Sequence, residues 1–244
     1  MRNLIFIMAA GRGSRLNSIY TEEEPIKPLI KYKGKTLFEH VTDSLKSLPF
    51  DRAVLSFDSK NFEMLDKIAS EDGFEILKQK AFQGLPMIYI LARQYHLSCD
   101  SDYLKGFDNI LMVPSDVLLE GVDMTDFYNF HLKNFNPNFP RQVSMLSIDG
   151  KKNGGKADFL KMDGVEVKDL IKRNFSAKRN LTGYIASYQA GVHWITKDVF
   201  SNPIVGLIRN LPNFDFNYTR VLRYETQGSW KNFGCLEDLL KVRR

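Results

Sequence analysis

The chain has 244 residues, of which 43% are hydrophobic and 26% charged, so it suits one globular domain or at most two small ones and excludes wholesale disorder. Its 34 basic and 29 acidic residues give a net charge of +5. The sequence has neither the basic stripe nor the recognition motif of a nucleic-acid-binding protein. The longest uncharged apolar run, Leu4 to Gly11, is too short to span a bilayer, and arginines follow it where a signal peptide would be cleaved.

The first half of the chain alternates apolar strands with amphipathic helices. Apolar runs predict strands over 3–10, 53–57, 74–77 and 109–113, and helical spacing predicts helices over 36–48, 60–70 and 86–97. After Asn3 the first strand is a continuous apolar run, as expected of a strand buried on both faces of a parallel sheet. This order predicts an α/β protein with a three-layer α/β/α Rossmann-like fold and a mixed, mostly parallel sheet.

The alternation loosens after Asp116. Further strands are predicted over 143–148, 157–162, 190–195 and 219–224, with a closing helix over 236–242. No linker, repeat or low-complexity tract divides the chain, so residues 1–244 are expected to form a single domain whose second part builds the other wall of a cleft.

A glycine-rich loop, Gly11-Arg-Gly-Ser-Arg-Leu16, directly follows the first strand. Glycines let the backbone approach a ligand, and arginines offer forked donors to phosphate oxygens, so a polyphosphate is the expected ligand. The dinucleotide fingerprint would require glycine at Leu16, and a Walker A loop ending in Gly34-Lys35-Thr36 would require glycine at Leu29. A tight turn with incidental arginines remains the alternative.

Gln79 lies a few residues before Gly84. A glutamine amide has a donor and an acceptor side by side, so it can pair with uracil or thymine, or flip to pair with cytosine. Gly84 would let such a base lie against the backbone. The alternative is a glutamine in a surface loop.

Asp116 closes the fourth predicted strand. Ligands collect at the carboxyl ends of parallel strands, so Asp116 is expected at the same sheet edge as the glycine loop. A carboxylate there suits Mg²⁺, which takes few protein ligands and fills its remaining positions with phosphate oxygens. A helix cap or turn role is the alternative.

Together these segments resemble the sugar-1-phosphate nucleotidyltransferases, also called sugar-nucleotide pyrophosphorylases. That family has an apolar strand, a G-x-G-x-R-L/M loop, a P-K-P-L segment matched here by Lys27-Pro28-Leu29, and a G-K before a helix. The stretch from Gln79 to Leu85 is most similar to pyrimidine-using members such as glucose-1-phosphate thymidylyltransferase, although Pro86 stands where the family has alanine. The resemblance implies the nucleotide-diphospho-sugar transferase fold, with a nucleotide-binding half over 1–120 and an acceptor-binding half over 121–244.

The resemblance also implies the site residues. Arg15, Lys27 and Asp116 would be catalytic, with Arg15 and Lys27 neutralising the triphosphate and Asp116 holding Mg²⁺. Tyr188-Gln-Ala-Gly191-Val-His-Trp194 is similar to a family strand whose glycine lies under the sugar, and Arg173 takes the place of the lysine that holds the acceptor phosphate. The implied nucleotide-binding residues are Ala9, Ala10, Gly11, Arg12, Gly13, Gln79 and Gly84.

Three further positions depart from the family pattern. Ser115 replaces the glycine before Asp116. Lys172 replaces a glutamate that contacts sugar hydroxyls, which favours an acceptor with an extra anionic group or a non-sugar phosphate. Asn232, within the marker Gly228–Leu239, replaces the second metal-binding aspartate; its amide oxygen can still bind Mg²⁺ but contributes no charge.

The sequence therefore predicts a nucleotidyltransferase that uses Mg²⁺ to join a nucleoside triphosphate, with a pyrimidine favoured, to a sugar-1-phosphate or similar acceptor, for activated-sugar or surface-polysaccharide precursors. The alternative is a non-catalytic relative that binds nucleotide or nucleotide-sugar as a sensor or partner subunit. A glycosyltransferase ranks low because no D-x-D follows a strand.

Neither a nucleic acid nor a membrane is an expected partner, and a homo-oligomer is compatible with the sequence. Cys99 and Cys235 are too distant in sequence for a disulfide framework or zinc site, which favours the cytoplasm.

Overall fold

The computed structural model describes residues 1–9, 27–58, 73–79, 106–149, 158–171, 182–196 and 219–232, and the structural statements below concern that part of the chain. The predicted helices over 60–70, 86–97 and 236–242 lie outside it. The strands are β1 Asn3–Met8, β2 Lys31–Tyr32, β3 Lys35–Thr36, β4 Arg52–Asp58, β5 Glu75–Gln79, β6 Asn109–Pro114, β7 Val117–Glu120, β8 Gln142–Asp149, β9 Asp158–Asp163, β10 Glu166–Ile171, β11 Tyr184–Thr196, β12 Arg220–Glu225 and β13 Ser229–Asn232. The helices are α1 Leu37–Leu45, α2 Met124–Lys133 and a 3-10 turn at Lys27–Leu29.

Nine strands form one mixed sheet in the order β5-β4-β1-β6-β11-β8-β12-β10-β9, and β11 also pairs with β9. The four strands β5, β4, β1 and β6 are mutually parallel, as the alternating first half predicts. Beyond β6, β12 runs parallel to β8 and the other pairings of this sheet are antiparallel. The expectation of a mostly parallel sheet therefore holds only for the first half. Short connections such as the turn at Gly164 join antiparallel strands, because parallel neighbours need a crossover of about a dozen residues or more.

The sheet is buried on both faces. In β1, Ile5 and Ile7 belong to a first apolar cluster while Leu4 and Phe6 belong to a second, because successive side chains of a strand point to opposite faces. This explains why the opening strand is apolar at every position after Asn3 rather than alternating. The first cluster also contains side chains from both described helices, including Phe38, Val41, Met124 and Phe127.

The first helix, α1, begins at a capping box. The Thr36 side chain accepts a hydrogen bond from the Glu39 amide at 3.1 Å, and the Glu39 carboxylate accepts one from the Thr36 amide at 2.6 Å. Leu37, Val41 and Leu45 are buried at helical spacing, as predicted. The helix ends at Leu45, three residues earlier than the prediction.

A buried polar network fastens α2 to the sheet. His131 is fully buried, with Nδ1 2.8 Å from Ser144 Oγ and Nε2 3.2 Å from Asn109 Oδ1. The side-chain amide of Gln142 donates a hydrogen bond to the backbone carbonyl oxygen of His131 at 2.9 Å. Burial lowers the pKa of His131 to about 4, so the ring is neutral at neutral pH. The network ties α2 to β6 and β8.

In the described part of the chain, no helix is long and apolar enough to cross a membrane.

Candidate functional site at the carboxyl edge of the parallel strands

The carboxyl ends of β1 and β6 meet at one edge of the sheet. Met8, the last residue of β1, is in register with Pro114 of β6, and the Ser115 amide donates to the Met8 carbonyl oxygen at 3.0 Å. Ala9 and Asp116 therefore follow neighbouring strand ends. Asp116 is half-buried in the turn between β6 and β7, while Ser115 is buried. This is the edge at which open parallel sheets bind their ligands.

A small two-stranded sheet brings Asn232 to the same place. β13 pairs antiparallel with β7, and Asn232 lies opposite Val117, the residue that follows Asp116. Trp230 packs in the first apolar cluster and anchors β13. At Gly228 an added Cβ would lie 2.6 Å from the carbonyl oxygen of Gly121, so glycine is needed for β13 to approach the end of β7 this closely.

Gln79 and Gly191 lie in strands on opposite sides of the β1–β6 pair. Gln79 ends β5 in register with Asp58 of β4, two strands from β1. Gly191 lies in β11, two residues before His193, which pairs with Met112 of β6. From β5 to β6 there are three inter-strand steps of about 4.8 Å, or about 14 Å in all, which gives an extended ligand room to lie across the strand ends.

Lys27 begins the 3-10 turn, which is anchored to the core by the residues after it. Pro28 is buried, and Leu29 packs against the first apolar cluster. The Ile30 carbonyl oxygen accepts a hydrogen bond from the Leu37 amide at 2.9 Å, which joins this segment to the start of α1. The same helix packs against β7, the strand that follows Asp116.

A cluster of charged and aromatic side chains lies between β2, β7 and β13. The Lys231 ammonium donates to the Tyr32 hydroxyl at 3.1 Å and lies 3.3 Å from Glu120 Oε2, and Lys33 Nζ lies 3.5 Å from Glu120 Oε1. The hydrogen bond from Lys231 lowers the pKa of Tyr32 and raises that of Lys231. Burial acts to raise the pKa of Glu120, but Lys231 and Lys33 outweigh it, so the pKa is lowered.

Sequence reasoning did not find this cluster. Lys231 lies within the marker Gly228–Leu239, but nothing in the order of residues indicates that it reaches Tyr32 and Glu120. Those contacts depend on the pairing of β7 with β13. Seven of the predicted site residues lie outside the described part of the chain, as does Lys172: Ala10, Gly11, Arg12, Gly13, Arg15, Gly84 and Arg173.

Few described side chains at the carboxyl edge of the parallel strands could bind a metal ion. Among the described residues, no group of three or more His, Cys, Asp and Glu side chains is arranged to hold a metal ion. Mg²⁺ in nucleotide sites commonly has only one or two carboxylate ligands and takes its other oxygens from phosphate and water. A single carboxylate at Asp116 is therefore compatible with a magnesium site that forms only with bound phosphate.

Several solved structures share the fold of this chain. A Bacillus anthracis protein assigned as a glucose-1-phosphate thymidylyltransferase, in complex with a sucrose, has a TM-score of 0.70 at 15% identity and covers 98% of this chain and 93% of its own. HddC from Yersinia pseudotuberculosis complexed with GMP-PN has a TM-score of 0.64 at 16% identity and covers 99% of this chain and 98% of its own. This chain therefore has the nucleotide-diphospho-sugar transferase fold, as predicted.

Sequence comparison also finds similar proteins. Residues 5–124 match the MobA-like NTP transferase domain. The bifunctional protein GlmU of Buchnera aphidicola subsp. Schizaphis graminum (strain Sg) is 35% identical over 188 residues, which are 76% of this chain and 36% of that protein. The chain thus spans about a third of the length of this relative. The match over residues 5–124 agrees with the resemblance to nucleotidyltransferases recognised from the sequence.

Proposed function

We propose that this protein transfers a nucleotidyl group from a nucleoside triphosphate to a sugar-1-phosphate or a similar phosphorylated acceptor and releases pyrophosphate. The observation that supports this most is the shared sheet edge. Met8 and Pro114 are in register, so the segment leading to the glycine loop begins beside the turn that carries Asp116. Asn232 lies opposite the residue after Asp116. The match to the MobA-like NTP transferase domain, over residues 5–124, covers β6 and most of β1.

The chemistry requires positioning and charge rather than a base. An acceptor phosphate oxygen attacks the α-phosphorus, a new P–O bond forms, and the bond to the oxygen of the β-phosphate breaks as pyrophosphate leaves. The attacking oxygen is already ionised, so no proton must be removed. The protein holds two anions in line and offsets the charge that builds on phosphorus and the leaving group.

Each residue of the site has a proposed task. Arg15 and Lys27 bind the triphosphate tail, and backbone amides from Ala9 to Gly13 approach its phosphates. Asp116, with the amide oxygen of Asn232, holds Mg²⁺, which supplies positive charge to the phosphate oxygens when bound.

The base and the acceptor are proposed to bind on opposite sides of this centre. Gln79, with Gly84, reads the base, and a pyrimidine is favoured because an amide matches its paired donor and acceptor. Gly191 and Arg173 contact the acceptor. The product would be an activated sugar or a precursor of a surface polysaccharide.

We also propose a three-layer arrangement and a single domain for residues 1–244, divided into a nucleotide-binding half and an acceptor-binding half near residue 120. Leu4, Phe6, Val54 and Met112 are buried on the face opposite the cluster that contains α1 and α2, which supports a layer on each side. Homo-oligomerisation and a cytoplasmic location are further proposals.

A direct test is pyrophosphate release with Mg²⁺, each of CTP, UTP, dTTP, GTP and ATP, and a panel of phosphorylated acceptors. We expect turnover with one pair and a fall of about a hundredfold or more in Asp116→Ala and Lys27→Ala, since one charge at such a site is worth about 3 kcal/mol. Lys133→Ala removes an exposed charge near the start of β6, at the opposite end of that strand from Asp116, and should retain activity. Tight nucleotide binding without turnover for any acceptor would favour the sensor, and no nucleotide binding would refute both functions.

A further inference from the structure

One lysine joins the three segments of chain that lead to the proposed site. Lys231 contacts Tyr32 and Glu120 through its single ammonium group, at 3.1 Å and 3.3 Å. Tyr32 follows the turn that begins at Lys27, Glu120 ends the strand that follows Asp116, and Lys231 directly precedes Asn232. These segments are distant in sequence, so their relative placement depends on tertiary contacts.

The strand β13 is held on both of its faces. Trp230 and Lys231 are adjacent, so their side chains lie on opposite faces of the strand. Trp230 is 6% exposed and packs in the core. Lys231 secures the other face through Tyr32, which is itself only 8% exposed, and through Glu120. Asn232 is therefore the next residue after a pair that fixes the strand from both sides.

The contact of Lys231 with Tyr32 and Glu120 fixes the position of β13 more than it stabilises the folded chain. The Lys231 side chain is 44% exposed and that of Glu120 is 34% exposed, and partly exposed ion pairs add little to the free energy of unfolding. The ammonium nevertheless accommodates a phenol oxygen and a carboxylate together, and it lies 5.5 Å from the centre of the Tyr32 ring. Loss of the ammonium would release β13 from the β2 segment while Trp230 still holds it to the core.

We propose that Lys231 is a positioning residue that sets Asn232 and the Lys27 segment relative to Asp116, and thereby strengthens the binding of magnesium-bound nucleoside triphosphate. This inference rests on the proposed function. It assigns a role to a residue that does not itself touch the substrate.

The test compares two lysine variants of the full chain. Lys231→Met removes the contact, and Lys35→Met is the matched control: Lys35 pairs with Asp43 at 2.6 Å, with a carboxylate side chain that is also 34% exposed, but not with β7 or β13. Titration calorimetry measures the dissociation constant of the nucleoside triphosphate with and without Mg²⁺. We expect Lys231→Met to weaken the magnesium-dependent affinity about fivefold, in the range of a partly exposed charged hydrogen bond. Lys35→Met should bind like the wild type.

Two further variants distinguish an effect on the position of β13 from an effect on folding. Tyr32→Phe removes only the hydroxyl that accepts from Lys231, so we expect a smaller loss of magnesium-dependent affinity with an unchanged thermal midpoint. Lys231→Arg retains a cation and should restore part of the affinity. If Lys231→Met does not fold, Tyr32→Phe decides the question.

The outcomes distinguish this inference from the proposed function. If the wild type binds no nucleoside triphosphate, the proposed function fails and the inference with it. If the wild type binds, but Lys231→Met matches Lys35→Met or Tyr32→Phe matches the wild type, only the positioning role is overturned.

Discussion

Acid should destabilise this protein through one buried histidine. His131 is fully buried, and its pKa is lowered by burial from 6.5 to about 4. The unfolded chain therefore takes up a proton below pH 6.5 that the folded chain excludes until pH reaches about 4. Stability from this residue is complete above pH 6.5 and is lost progressively as the pH falls towards 4. The interval of about 2.5 pH units, at about 1.36 kcal/mol per unit, gives a loss of about 3 kcal/mol.

The measurement is urea unfolding of the wild type and of His131→Gln at several values between pH 7.5 and 4.5. Glutamine retains a donor and an acceptor for Ser144 and Asn109 but does not titrate. We expect the variant to be less stable at pH 7.5 and to show a shallower loss on acidification. Parallel stability curves for the two proteins would refute the reasoning.

Two other predictions concern the anchoring of β13 and the reading of the base. Trp230→Ala should lower the free energy of unfolding by about 3–5 kcal/mol, because it removes a large side chain from the core. Urea titration measures this loss, Val165→Ala at an exposed turn serves as the near-neutral control, and a loss below about 1 kcal/mol would contradict the packing account. Gln79→Leu should reduce discrimination among nucleoside triphosphates about tenfold, as expected when paired hydrogen bonds to a base are lost. Ratios of kcat/KM across the five triphosphates measure this, and unchanged ratios would remove Gln79 from base recognition.

Local patterns predicted the four parallel strands and α1 in the first half of the chain. The uninterrupted apolar run of β1 required burial on both faces, and Leu4 and Ile5 are indeed buried in different clusters. The spacing of Leu37, Val41 and Leu45 predicted α1, and the structure adds the capping box at Thr36 that begins it. Such signals lie within a few neighbouring residues, so they can be detected without knowledge of tertiary contacts.

The second half was predicted less completely. The strands β7, β10 and β13 and the helix α2 were missed, because they are short or carry a weak apolar face. In α2, the buried residues Phe127 and Tyr128 are interspersed with Asp126 and Asn129, and a buried histidine takes part in the network below. Its position depends on partners in β6 and β8 rather than on its own pattern.

Part of the candidate site could likewise be predicted from the sequence, and part required the structure. Asp116 could be placed at the carboxyl edge from strand order alone, and Met8 is in register with Pro114 at that edge. Asn232 could be matched only to a marker, whereas its pairing opposite Val117 required the structure. The Lys231–Tyr32–Glu120 contact joins three separate segments, so no local spacing could have indicated it.

The central claim is that a nucleoside triphosphate binds across the ends of β1 and β6 with its metal ion at Asp116. The most direct measurement is a crystal of the full chain soaked with a nucleoside triphosphate and Mn²⁺ in place of Mg²⁺, with the metal located by anomalous scattering. We predict a peak at Asp116, between the carboxylate and the phosphates, with the base towards the end of β5. A metal bound to the triphosphate away from this edge, or a nucleotide on another face of the sheet, would contradict the account.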